Sequence, residues 1–170
     1  MTPRVVLVGP PGAGKSTVGR LLAHRWQVDF RDTDLDVETA AGKPISEIFI
    51  DDGESAFRAL EKVAVANALR EHDGVLALGG GAVLDPDTRQ ALDGLPVVAL
   101  TVGLADAASR VGFARDRPVL ALNPRAQLKF LLEERAPIYA AVAAVQISTD
   151  GRSPEEVADD VAGQLDGDRL

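Results

Sequence analysis

The sequence predicts a three-layer α/β/α domain built on a five-stranded parallel sheet, on three observations. Short apolar runs end near residues 8, 32, 78, 100 and 148, and helical segments separate them. The clearest of these runs are apolar without alternation, as strands covered on both faces are. A glycine-rich loop of the kind that cradles phosphates follows the first run directly.

Taken in order, Arg4 to Val8 forms the first strand and residues 15–25 the first helix. A second strand ends at Asp32. Residues 36–72 form a helical insertion, broken internally at Asp51-Asp52-Gly53, and a third strand follows at Val75 to Leu78. A short helix over Asp85 to Leu92, a strand over Val97 to Leu100 and a helix over Ala105 to Val111 come next. Residues 112–124 hold Gly112, Arg115, Asp116, Arg117, Pro118, Asn123 and Pro124 and read as a mobile lid between two helices. A helix over Arg125 to Ala136, a strand over Val145 to Ser148 and a last helix after Ser153-Pro154 complete the chain. Residues 1–170 make one domain. One stop signal is missing: the first helix ends near Arg25-Trp26-Gln27 without the glycine that often closes a helix. Trp26 is expected to pack that end, and His24 and His72, in charged surroundings, to lie on the surface.

Composition excludes several classes of function. No cysteine is present, so thiolate metal sites, a cysteine nucleophile and disulfides are ruled out. With 18 basic and 26 acidic side chains the formal charge is -8, which argues against a nucleic-acid-binding surface. No apolar stretch approaches the roughly 20 residues of a membrane span. The first strand begins so near Met1 that no cleavable leader is expected, which places the protein in the cytoplasm. A monomer is expected.

Residues Gly9 to Thr17 read Gly-Pro-Pro-Gly-Ala-Gly-Lys-Ser-Thr and fill every position of a phosphate-binding loop. Amides of Gly12, Ala13 and Gly14 converge on a polyphosphate, helped by the helix dipole beginning at Lys15. Lys15 reaches the β- and γ-phosphates, and the hydroxyl of Ser16, next to Thr17, suits Mg²⁺. The chain therefore binds a nucleoside triphosphate. Asp32-Thr33-Asp34 stands at the carboxyl end of the second strand, where open α/β sheets bind ligands. Asp32 could hold the hydration shell of Mg²⁺ and Asp34 orient an acceptor hydroxyl, or both could cap the next helix. Gly79-Gly80-Gly81 follows the third strand at the same edge and is either a tight turn or a backbone surface touching a small substrate. Glu54, Arg58 and Glu61 share one helix face, which a solvated ion-pair ladder would also explain.

Together these motifs, with Asp-Gly-Glu at 52–54, Phe57-Arg58, Arg117-Pro118 and Arg135-Ala136-Pro137-Ile138-Tyr139, resemble shikimate kinase from end to end. The resemblance implies the phosphate-loop fold of the nucleoside monophosphate kinase type, with residues 33–61 as the substrate-binding insertion. It implies ATP-dependent phosphorylation of the 3-hydroxyl of shikimate with Mg²⁺, a step toward chorismate and the aromatic amino acids. Asp34 would grip substrate hydroxyls, Arg58 and Arg135 its carboxylate, and Gly79, Gly80 and Gly81 its ring. Arg117 would reach the transferring phosphoryl group, and Arg110 and Arg152 would lie around the nucleotide. Phe49, Phe57 and Pro118 would form an apolar wall. Gln27 and Val119 stand where the family often has Gly and Leu. A gluconate kinase of the same fold is the nearest rival. A GTPase-type switch would need an Asn-Lys-x-Asp guanine reader, which is lacking.

Overall fold

The computed structural model describes residues 2–111 and 124–167. Its five strands, β1 (Val5–Val8), β2 (Phe30–Asp32), β3 (Val75–Ala77), β4 (Val97–Thr101) and β5 (Val145–Ser148), are all parallel and lie in the order β2-β3-β1-β4-β5. Register pairs Leu7 with Ala77 on one side and with Val98 on the other.

Alternate residues of each strand serve opposite layers. Val5, Leu7, Val75, Val98 and Leu100 face α1 (Lys15–Trp26) and α8 (Pro154–Gly167), where Val18, Leu22, Val157 and Val161 meet them. Val6, Leu76, Leu78, Val97 and Ala99 face the other side. There they meet Val65 and Ala68 of α4 (Glu54–Glu71), Leu92 of α5 (Pro86–Leu92) and Tyr139 of α7 (Pro124–Val142). Because both faces are covered, β1 and β4 must be apolar at every buried position, which is why they read as unbroken runs.

Between β2 and β3 the insertion folds as α2 (Thr33–Ala41), α3 (Ile45–Asp51) and α4, with its own small core of Val37, Ile48, Phe57 and Ala64. The expected break is present: α3 ends at Asp51, and Gly53, with φ of 86°, turns the chain into α4. From β1 the chain passes beyond β3 to reach β2, and after β3 it crosses to β4 on the other side of β1. The crevice at the carboxyl end of β1 is therefore the switch point where such sheets bind ligands.

Two local expectations need correction, and a missing stop signal finds its substitute. The helix predicted to stop at Ala136 runs on through Pro137 to Val142. Pro137 cannot donate to the carbonyl four residues earlier, but the turn beyond it carries Ile138, Tyr139 and Val142 into the core of that face. That burial outweighs one lost hydrogen bond. His72, expected on the surface, is buried as the cap of α4, with Nε2 3.0 Å from the Val75 carbonyl oxygen. The missing glycine after α1 is replaced by Gln27 itself, which adopts the left-handed conformation with φ of 54° and donates its amide to Ala23 and His24. As expected, Trp26 packs the helix end, with the Arg4 guanidinium stacked 4.3 Å over its ring.

A left-handed non-glycine residue costs roughly 1–2 kcal/mol, and glycine returns about 0.5–1 kcal/mol of that as lost chain entropy. Gln27→Gly should therefore raise Tm by about 1–4 °C in a domain of this size, measured by thermal denaturation. A lower Tm would show that the Gln27 side-chain bond to the His24 carbonyl, 2.6 Å, matters more than the backbone strain.

Candidate active site

The phosphate loop is held by backbone geometry that only glycine tolerates. Gly9 has φ of 151°, and a Cβ there would strike the Leu100 carbonyl oxygen at the end of β4. Gly14, with φ of 87°, turns the chain into α1 without a side-chain cap, leaving the first amides of the helix to a ligand. Lys15 folds back along the loop, its Nζ donating to the Gly9 and Pro10 carbonyls at 2.7 and 3.0 Å.

Beside the loop, Ser16 Oγ donates to Asp32 Oδ2 at 2.9 Å, while Asp32 Oδ1 accepts from the Asp34 amide at 2.9 Å. One carboxylate thus both caps α2 and lies beside the phosphate loop. Asp34, in the first turn of α2, points its carboxylate at Gly79: a Cβ on Gly79 would collide with Asp34 Oδ1 and lie 2.8 Å from Glu61 Oε2. The Gly79 amide donates to Thr33 Oγ1 at 3.2 Å. Gly81 stands under the Arg58 guanidinium, where a Cβ would again collide, and a Cβ on Gly80 would come within 3.2 Å of Pro11. Tyr139 Oη on α7 donates to the Gly80 carbonyl.

The three glycines are therefore required by what surrounds them: two carboxylates, a guanidinium and the phosphate loop all converge on this turn. Arg58 donates to Glu61 Oε1 at 2.7 Å and approaches Glu54 at 3.5 Å. Glu61 is only 3% exposed, so the face that could have been a solvated ladder turns inward at its Glu61 end, while Glu54 stays at the surface. Phe57 packs on Phe49 with ring centroids 4.8 Å apart and lies 5.2 Å from the Arg58 guanidinium.

A cavity of about 210 Å³ opens at the other end of the loop, lined in part by Ala13, Thr17, Arg110, Thr149, Arg152 and Val157. Arg110 on α6 (Leu104–Val111) donates to the Gly12 carbonyl at 3.0 Å, to Thr149 Oγ1 at 3.1 Å and to the Thr149 carbonyl at 3.2 Å. Arg152 is fixed by the Ser148 carbonyl at 3.1 Å and by Asp160 at 3.0 Å.

The hydroxyl and carboxylate of Ser16 and Asp32 are hard oxygen donors set side by side, which suits Mg²⁺. Among the described residues no group of three or more His, Cys, Asp or Glu side chains could hold a metal by itself. A site with two protein oxygens fits an ion that takes its remaining ligands from phosphate and water.

A model of the shikimate kinase family matches residues 11–166. The chain belongs to the shikimate kinase family. It is 62% identical to a shikimate kinase of Salinispora tropica, over 97% of this chain and 99% of that one, and 46% identical to one from Rhodococcus jostii, over 97% and 99%. Among solved structures, shikimate kinase from Acinetobacter baumannii in complex with shikimate superposes with a TM-score of 0.95 at 34% identity, covering 100% of this chain and 96% of that one. A gluconokinase from Sinorhizobium meliloti, at 16% identity and a TM-score of 0.54, shares the fold alone.

Against the residues expected of a shikimate kinase, the structure gathers Lys15, Ser16, Asp32, Asp34, Arg58 and Gly79 to Gly81 into one crevice, and sets Arg110 and Arg152 at its far end. Arg135 lies one helical turn before Tyr139 on α7, on the same face, and pairs with no described residue. Arg117 and residues 112–123 of the expected lid lie outside the described residues, and Pro124 begins α7. Sequence reasoning assigned no role to Thr33, Thr149 or Tyr139, and left Glu61 as a member of a ladder. Thr33 sits inside the Asp-Thr-Asp motif and Tyr139 ends the Arg-x-Pro-x-Tyr motif, so their positions were visible but not their partners.

Proposed function

We propose that the crevice transfers the γ-phosphoryl group of ATP to the 3-hydroxyl of shikimate, giving shikimate 3-phosphate and ADP. The observation that carries this reading is the convergence of Asp34, Glu61 and Arg58 on the glycine turn beside the Lys15 loop. It offers a cation for a carboxylate and an acceptor for a hydroxyl proton within reach of a phosphate site. Gluconate and nucleoside monophosphates are the natural competitors. A coupled ADP-release assay across all three acceptors should show turnover with shikimate alone, and comparable rates with another acceptor would overturn the reading.

In this scheme the amides of Gly12 to Thr17 cradle the phosphates, and Lys15 exchanges its carbonyl partners for phosphate oxygens. Asp34 orients the 3-hydroxyl and receives its proton as the O–P bond forms. Arg58 and Arg135 hold the substrate carboxylate, Gly79 to Gly81 border its ring, and Arg110 and Arg152 flank the nucleotide base. Arg117 adds charge against the moving phosphoryl group. Ser16 and Asp32 would hold Mg²⁺, which when bound neutralises phosphate charge and fixes phosphate geometry. Phosphoryl transfer passes through a loose transition state, so the protein contributes mainly alignment and charge. No helix among the described residues is long and apolar enough to cross a membrane, and we place the enzyme in the cytoplasm as a monomer.

Removing either carboxylate clamp should raise the KM for shikimate by about 10- to 100-fold, the equivalent of a charge-assisted bond of roughly 1.5–3 kcal/mol. The two variants should differ in stability. Arg58→Ala removes the guanidinium paired with the buried Glu61 carboxylate and should lower Tm as well, whereas Arg135→Ala, whose side chain has no described partner, should leave Tm near the parent value. A changed ATP KM with an unchanged shikimate KM would reassign either residue to the nucleotide. Asp32→Asn keeps the shape of the α2 cap but loses charge beside Ser16. It should shift the Mg²⁺ concentration for half-maximal rate upward, and an unshifted Mg²⁺ titration would leave Asp32 as a cap only.

A further inference from the structure

The glycine turn after β3 has an uneven supply of hydrogen-bonding groups. Its carbonyls are all engaged: that of Gly79 accepts from the Ala82 amide at 3.0 Å, that of Gly81 from the Leu84 amide at 3.1 Å, and that of Gly80 from the Tyr139 hydroxyl. Its amides are not. Gly79 donates to Thr33 Oγ1, whereas the amides of Gly80 and Gly81, both buried residues, donate to no described acceptor.

Of the three carbonyls only that of Gly80 takes its donor from a distant element, the buried Tyr139 of α7, whose ring belongs to the core cluster of Leu78, Ala82 and Val83. No peptide here is cis, and across a trans peptide the carbonyl and the amide point in opposite directions. With the Gly80 carbonyl turned into the core toward the phenol, the Gly81 amide points out of it. Neither glycine can hold this peptide alone. Arg58 excludes a Cβ from Gly81 and Pro11 crowds one at Gly80, so the packing that shapes the crevice requires a Gly-Gly peptide. Such a peptide turns over at little cost, because the flip takes the Gly81 φ of -99° into the positive range that glycine enters freely. Turned over, it would set a carbonyl oxygen where the amide stands.

Resting on the crevice as the shikimate site, we propose that Tyr139 is a positioning residue whose hydroxyl locks the Gly80–Gly81 peptide with its amide toward the substrate. The amide then shares with Arg58 the holding of an anionic substrate oxygen, whereas the flipped peptide would oppose that oxygen with another. Tyr139 moves no proton in the reaction and, buried in the core, touches no substrate. Its hydroxyl decides which end of the peptide the substrate meets.

Tyr139→Phe keeps the ring in the core and removes the hydroxyl alone. The KM for shikimate should rise about 3- to 10-fold, the worth of one neutral hydrogen bond. A contact made equally in ground and transition states enters KM alone, so kcat and the ATP KM should change less than about twofold. KM does not depend on the folded fraction, so partial unfolding cannot imitate this split. Glycine follows glycine only within residues 79–81, so labelling glycine at its nitrogen and its carbonyl carbon isolates the linked amide signals of Gly80 and Gly81 in a magnetic resonance spectrum. Tyr139→Phe should displace one of them in the free enzyme, and that signal should respond to shikimate at most about half as far as in the parent. Tyr139 is also the only tyrosine, so a ring-fluorinated tyrosine replaces it alone and keeps the hydroxyl. Its fluorine signal should move with shikimate, because a bond at the amide end of a peptide strengthens the one at its carbonyl end. An unchanged shikimate KM, a loss of kcat at constant KM, glycine signals identical to the parent's or a static fluorine signal would overturn the proposal. If neither glycine signal of the parent moves with shikimate, the turn does not border the substrate and the site reading falls as well. If the parent responds and the variant responds equally, only the role of Tyr139 falls.

Discussion

Lys15→Ala is expected to abolish all but about one part in a hundred of turnover, or less, with a folded protein remaining. The ammonium is one of the fixed cations that meet developing phosphoryl charge, and losing a single such donor commonly costs about 10²- to 10³-fold in kcat. Its bonds to the Gly9 and Pro10 carbonyls at the loop are also lost, but those oxygens lie at a partly open crevice where water replaces the lysine. Thermal denaturation should therefore shift little while steady-state turnover collapses. Lys15→Arg should not restore the rate, because a planar fork of greater size does not substitute for a compact ammonium in a loop this tight. Near-parent kcat in Lys15→Ala would remove the loop from the chemistry.

The second large effect is expected at Asp34. Asp34→Asn preserves volume but removes the charge and the proton acceptor beside Gly79. A positioned acid-base group contributes about 10²- to 10⁴-fold, so kcat should fall at least about a hundredfold while ATP affinity, read by nucleotide titration, changes little. Turnover close to the parent rate would leave the carboxylate as a structural element of the α2 first turn. The contrast with Asp32→Asn is informative because the two carboxylates are two residues apart yet face different ligands, Ser16 on one side and the glycine turn on the other.

How much of this could be read without coordinates follows from how local each signal is. The phosphate loop, the parallel sheet and the break at Gly53 are encoded within a few residues of chain, and each stands where the pattern placed it. The ends of α1 and α7 were obscured for a different reason. Gln27 adopts a conformation usually left to glycine, and Pro137 sits inside a helix because Ile138 and Tyr139 reach a sheet face that no local rule describes. The same holds at the site. Glu61 at three residues from Arg58 has the spacing of an exposed ion pair. It is buried because α4 runs beside the turn after β3, a neighbour distant enough in sequence to be invisible in the helix pattern. Arg117 could be read only from its motif.

The stacking of Arg4 on Trp26 has a practical side. Trp26 is the only tryptophan of the chain and closes α1 at the end away from the phosphate loop. Twelve helical residues separate the two ends, roughly 17 Å at 1.5 Å per residue. The indole is thus a built-in optical reporter of whether the first helix is seated on the sheet, and one deaf to occupancy of the crevice. Emission spectra will follow denaturant faithfully and stay flat through a nucleotide titration, so binding studies on this enzyme call for a second fluorophore placed near the glycine turn.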